Sequence, residues 1–247
     1  MVLKLLKKIN LGVLIAIVLV IATMCYIGIN SLMFEASKDD IQKFVKDFIS
    51  ESVSTNKGSF EDILAAQNDL SDKYFAAEPA AAGSGMRYTN NINASNFKSN
   101  FEKLHNNMTN SKTNSGSVYW GTIRSCQAVV SSTQIKKLGL NSAAVLVNYS
   151  ISMQDSGGSV IYSAAGSPQY RDGKTDSFSE NTTDMPYYCY IFLSKYAGSW
   201  KIDYLTPSYR GSQDLFKSYG EKGYQISVAG LLSEFADPMF KRTEVLG

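Results

Sequence analysis

The N-terminal region contains a long run without a single charged residue, from Ile9 to Phe34, between Lys8 and Glu35. As a helix rising about 1.5 Å per residue, this run is about 39 Å long, enough to cross a hydrocarbon layer of about 30 Å with some tilt. The sequence therefore predicts one transmembrane helix, with Ile9 and Phe34 as its limits, and a protein attached to the lipid bilayer.

The charges that flank this run differ on its two sides. Lys4, Lys7 and Lys8 precede it, whereas Glu35, Lys38, Asp39 and Asp40 follow it. Because positive charge is retained on the cytoplasmic side, we expect residues 1–8 to form a short cytoplasmic tail. Everything from residue 35 onward is then predicted to lie outside, which makes this a single-pass protein of the cell membrane.

A cleaved signal peptide is the alternative interpretation of the same segment, with Leu11 to Met24 as its apolar core. Such a core has about 7–15 residues and is followed by small residues at the cleavage site. Here the apolar run is longer, and Met24 stands where a lipoprotein signal would have a small residue before Cys25. These features favour an uncleaved anchor.

The portion after the span is close to neutral, with 21 basic and 22 acidic residues once the three N-terminal lysines are set aside. A balanced surface gives no electrostatic reason to bind a polyanion. We therefore expect no direct binding of nucleic acid.

Helical patterns come first in this outer portion. Ser37 could cap a helix over 38–54, in which Ile41, Val45 and Phe48 recur at the spacing of one helical face. A second helix is predicted from Ser59 to a point before Pro79, and a third over 94–108. The small and polar residues 76–91 between them indicate a loop.

The pattern then changes to the alternation of β-strands. Residues 117–132 predict a strand with Val118, Trp120, Cys126, Ala128 and Val130 on one face. Residues 143–153 predict a clearer strand with one buried and one wetter face. A further strand could begin within 159–165, followed by a polar loop or excursion over 166–184. The segments 187–196 and 199–205, separated by Ala197 and Gly198, predict a β-hairpin.

This order of elements resembles a known family. The helical opening IQKFVKDFI, the strands after the helices and the closing hairpin GSWKIDYL are similar to the cone-shaped fold of nuclear transport factor two and ketosteroid isomerase. Membrane-anchored proteins of this kind include the bitopic scaffold subunit of type IV secretion systems and its counterparts in conjugative elements. The resemblance implies an α+β fold, with about three helices on a curved antiparallel sheet, over an outer domain at 35–206.

The chain departs from this family after Pro207. Residues 207–247 are expected to form a helical extension that either packs on the sheet or contacts a partner. Its apolar residues are Leu215, Phe216, Ile226, Val228, Leu231, Leu232 and Phe235.

Two enzymatic alternatives are considered, the first implied by the resemblance and the second by the residue types of the chain. The isomerases of this fold use a pocket acid or an Asp/His pair, but His105 lies in a polar stretch and Asp203 alternates outward on its strand, where we expect solvent. A membrane-anchored transpeptidase of the sortase kind would combine His105 with Cys126 or Cys189 and with Arg124 or Arg210. Cys189 instead lies in the apolar sequence YYCYIFL, which is unlike the open, electropositive surroundings of a reactive thiolate.

The outer portion has only two cysteines, Cys126 and Cys189, both on predicted strands. A disulfide between them and a pair of buried free thiols are equal alternatives at this stage. Cys25 is expected to be a small apolar residue of the span.

No cofactor is predicted, and no metal site, because the chain has one histidine and no Cys-x-x-Cys sequence. The sequence therefore predicts a binding protein rather than an enzyme. The expected partners are other envelope or secretion-channel proteins, with a homo-oligomer as a further option. A ligand-binding or regulatory ectodomain is the alternative.

Overall fold

The computed structural model forms two compact units, Met1–Asp40 and Ile41–Gly247. The first is helical wherever it is described, and the second holds the remaining helices and all described strands. The described residues are 11–58, 60–79, 92–103, 106, 123–139, 141–155, 160–164, 168–170, 179–182, 186–206 and 208–211.

Helix α1 covers Leu11–Ser54 without a break. The predicted helix end near residue 54 is confirmed, but the predicted start at Ser37 was wrong. The Ser37 hydroxyl donates to the carbonyl of Met33 at 2.8 Å, one turn back within the same helix. A serine that bonds to the preceding turn does not cap a new helix, because its side chain is directed away from the N–H groups that follow it.

Helix α2 covers Phe60–Tyr74, and a shorter helix, α3, covers residues 97–103. The buried face of α1 contains Ile41, Val45 and Phe48, as the spacing predicted. Aromatic rings join the three helical segments, because the Phe48 ring centroid lies 6.0 Å from that of Phe75, and Phe75 lies 5.2 Å from Phe97. The predicted second and third helices are thus present, although the rest of the 94–108 segment lies partly outside the described residues.

The main sheet is antiparallel, with the order β1-β2-β6-β7. Strand β5 also pairs with β2, strand β8 pairs with β6, and β3 with β4 forms a separate two-stranded ribbon. The predicted α+β class is confirmed. The strand bounds are β1 Ile123–Lys137, β2 Ser142–Asp155, β3 Val160–Tyr162, β4 Pro168–Tyr170, β5 Ser179–Thr182, β6 Tyr187–Tyr196, β7 Ser199–Leu205 and β8 Tyr209–Arg210.

Three of these strands differ from the sequence prediction. The segment 166–184, predicted to be a loop or excursion, contains β4 and β5. Strand β8 continues the sheet beyond residue 206, where we placed the end of the fold. These strands are two to four residues long, too short to show an alternation in the sequence, and they are defined by their pairing with β3, β2 and β6.

The inner face of the sheet receives the end of α1. Cys126 on β1 pairs with Met153 on β2, and the side chain of Asn56, just after α1, hydrogen bonds to the backbone of Tyr162 on β3. Cys126, Ala128 and Val130 share this face, as predicted, because they pair with Met153, Ile151 and Tyr149. Val118 and Trp120 lie outside the described residues.

The other face of β2 was predicted to be the wetter of the two, and this was wrong for its central part. Leu146 is 0% exposed and Asn148 is 4% exposed. The apolar neighbours Tyr190 and Phe192 on β6 lie beside Leu146 and Ala144, so this face carries its own hydrophobic cluster. Alternation along a single strand does not reveal such a cluster, because it forms across two strands.

The hairpin between β6 and β7 is confirmed. Ala197 and Gly198 at its turn both have positive φ, 47° and 89°. Two successive residues with positive φ match the twist of the flanking strands and make the shortest hairpin connection.

Candidate functional site

The first part of α1 exposes apolar side chains on all sides. Exposed residues of this part include Met24 at 68% and Leu32 at 72% of their full area. Among the described residues, α1 is the helix long and apolar enough to cross a membrane. A helix that is apolar around its whole circumference needs a non-aqueous environment, so this N-terminal segment is suited to membrane anchoring.

The polar side chain of Thr23 is accommodated within this segment. Its hydroxyl donates to the carbonyl of Leu19 at 2.8 Å. This bond satisfies the Thr23 donor within the helix, so the hydroxyl does not need water in a lipid layer. Thr23 therefore does not argue against a span.

Cys126 and Cys189 do not form a disulfide. Both are free and buried, and they lie on β1 and β6, on either side of β2. Cys126 pairs with Met153 whereas Cys189 pairs with Val147. Six residues along a strand correspond to about 20 Å, far beyond the ~4.4–6.8 Å between the Cα atoms of a disulfide. The structure corresponds to the alternative of two buried free thiols.

Burial also controls the acidity of these thiols. It raises the pKa of Cys126 to about 12 and that of Cys189 to about 12, and the charge of Lys57 opposes the shift at Cys126 only in part. At neutral pH both side chains are therefore protonated. A protonated, buried thiol lacks the thiolate character that a transpeptidase nucleophile requires.

Asp203 is buried at 3% exposure, and our expectation of a solvated carboxylate was wrong. The register of β6 with β7 shifts between Phe192 and Leu193, which leaves Asp203 as an extra residue on β7. Its carboxylate accepts hydrogen bonds from the hydroxyls of Ser194 and Tyr196. A β-bulge changes the direction of the side chains around it, and here it directs Asp203 toward two hydroxyl donors on the neighbouring strand.

The other residues considered for catalysis are not brought together. His105 lies outside the described residues, and so does the side chain of Arg210. Arg124 is exposed at a register shift of β1, whereas Cys126 two residues later is buried. Within the described part of the chain, no group of three or more His, Cys, Asp or Glu side chains could hold a metal ion.

The face of the sheet that carries Asp203 also carries the outer cluster, defined by Ala144, Leu146, Tyr190 and Phe192. These four side chains are 0–4% exposed. Three half-buried apolar residues, Leu138, Tyr188 and Tyr204, flank the outer cluster. Its described members come from the sheet and the residue after β1, and no described helix contributes to it.

Strand β1 is the terminal strand on one side of the sheet that the described residues form. Strand β7 is bordered by the backbone of Phe75 and Ile92, whereas β1 pairs only with β2. Strand β1 has 15 residues, about 50 Å of edge, with 51% of Val129 exposed. Two register shifts interrupt β1, a feature that limits uncontrolled pairing of an edge strand.

A polar clamp formed by Asn56, two residues after the end of α1, was not predicted from the sequence. The Asn56 side chain donates to the carbonyls of Val53 and Tyr162, each at 2.8 Å, and accepts from the Tyr162 N–H at 2.7 Å. The Asn56 side chain thus satisfies both backbone hydrogen-bonding groups of Tyr162 on β3, as a neighbouring strand would. The only local signal is the order Asn56-Lys57-Gly58 after an apolar helix, which marks a helix end and not its distant partner.

A second missed group lies on the inner face around Tyr149. Its hydroxyl donates to Ser208 Oγ at 2.7 Å and accepts from the Ala164 N–H at 3.0 Å, while Ser208 Oγ donates to the Ala164 carbonyl at 2.7 Å. Burial raises the pKa of Tyr149 well above its usual value. The hydroxyls form a closed set of bonds, which is typical of a structural tie between segments far apart in sequence.

No protein-family model and no curated protein sequence matches this chain. Solved structures that are similar to it include two proteins of bacterial origin. An IcmL-like type IV secretion system protein from Legionella pneumophila has 9% identity and a TM-score of 0.38, over 72% of this chain and 95% of that protein. An NTF2-like protein of unknown function from Prochlorococcus has 13% identity and a TM-score of 0.32, over 71% and 97%. Both TM-scores are low, and neither similarity says what this chain binds or does.

Proposed function

We propose that this chain is a single-pass membrane protein whose sheet-bearing unit lies outside the membrane and binds other envelope proteins. The observation that carries the proposal is the apolar segment 11–33 of α1, which is followed in the chain by a domain with its own core. An anchor confines the domain to the membrane surface and raises its effective concentration for partners on the same surface.

The orientation is part of the proposal. The three lysines before the span favour a cytoplasmic tail over residues 1–8, with the domain on the opposite side. The bilayer and other envelope proteins are then the partners, and a homo-oligomer is the simplest assembly of this kind. We assign no catalytic step, cofactor or nucleic acid to the chain.

The finer proposal is that the protein is an assembly component of a conjugative or type IV secretion-like apparatus. This class comes from the layout of the sequence, with a short tail, one span and a helices-then-sheet domain. The terminal strand β1, with Val129 exposed, is a surface of the right kind for a scaffold, because an edge strand can contact an extended segment of another chain.

The test is crosslinking and capture of the full chain from its native membrane through an N-terminal tag, followed by mass spectrometry. Recovery of channel or ATPase subunits is the expected result. Recovery of the protein alone, from membranes verified to be intact, would contradict the assembly role.

A matched pair of variants tests the edge itself. Val129→Lys places a charge on the exposed face of β1, whereas Ser99→Lys places the same charge on the exposed surface of α3. We expect Val129→Lys to lower recovery of the partners at least fivefold, with Ser99→Lys unchanged. Equal recovery with both variants would exclude β1 as the contact surface, while leaving the capture result to decide the assembly role.

A further inference from the structure

We draw no further inference here: the strongest candidate, the outer cluster on the sheet face that carries Asp203, supports none, because no described residue shows what covers it and the expected helical extension lies outside the described residues from residue 212 onward.

Discussion

The side chain of Asn56 is the most informative place to perturb the unit that contains the sheet. It is 0% exposed and connects the end of α1 to Tyr162, 106 residues later in the chain. We predict that Asn56→Ala destabilises the domain strongly while changing its surface hardly at all.

The magnitude follows from the bonds that are lost. The carbonyl of Val53 also accepts a hydrogen bond from the backbone N–H of Asn56 at 3.2 Å, so it keeps one donor in the variant. The N–H and carbonyl of Tyr162 each lose the Asn56 bond, and a buried backbone group that loses its partner costs about 1–3 kcal/mol. The expected loss is roughly 2–6 kcal/mol, and at about 3 kcal/mol the unfolding constant rises more than a hundredfold.

The assay is urea unfolding of the full chain in detergent micelles, followed by tryptophan fluorescence. Lys57→Ala, an exposed neighbour, is the matched control and should change the free energy of unfolding by less than about 0.5 kcal/mol. A loss below about 1 kcal/mol for Asn56→Ala would refute the clamp, because it would mean that water or another group replaces the side chain.

Three further predictions concern the turns and the thiols, and each is read from the same urea unfolding assay. Ala197 has positive φ at the hairpin turn, so Ala197→Asn should raise the free energy of unfolding by roughly 0.5–1 kcal/mol; no gain would show that the turn is unstrained. Gly58 has φ 81°, and an added Cβ would lie 2.7 Å from Asp62 Oδ2, so Gly58→Ala should lower the free energy of unfolding by about 1–2 kcal/mol. Asp62→Ala in the same chain should restore part of this loss by removing the close contact. Full restoration would contradict the contribution of the positive φ. Burial raises the pKa of Cys126 and Cys189 from 9.0 to about 12, so above pH 9 the unfolded chain releases protons that the folded chain keeps. Stability should then fall by about 2 kcal/mol between pH 9 and 10 for both thiols together, and a flat profile would indicate that the thiols are accessible to solvent.

Elements with a clear period were predictable from the sequence. The apolar run in α1, the stripe with Ile41, Val45 and Phe48, and the alternation in β2 each depend on neighbours within one element. The hairpin turn was also predictable, because Ala197 and Gly198 separate two strongly β-forming segments. In these cases local sequence and tertiary structure favour the same conformation.

Features set by contacts between distant segments were not predictable. The burial of Asp203 depends on a register shift opposite Phe192, and a strand sequence does not show where its partner shifts. The separation of Cys126 and Cys189 depends on the position of β2 between their strands. The continuity of α1 through Ser37 was missed because a serine followed by an acid has the same sequence whether it caps a helix or lies within one.

The most direct test of the account is the topology of the full chain in intact cells of its host. A membrane-impermeant thiol reagent is applied to Ser199→Cys, an exposed position next to the hairpin turn, and to Lys4→Cys in the N-terminal tail, with Cys25 replaced by Ala in both. The account predicts labelling of position 199 in intact cells and of position 4 only after the membrane is permeabilised. Labelling in the opposite order, or release of the labelled domain from the membrane by salt alone, would contradict an anchored domain outside the cell membrane.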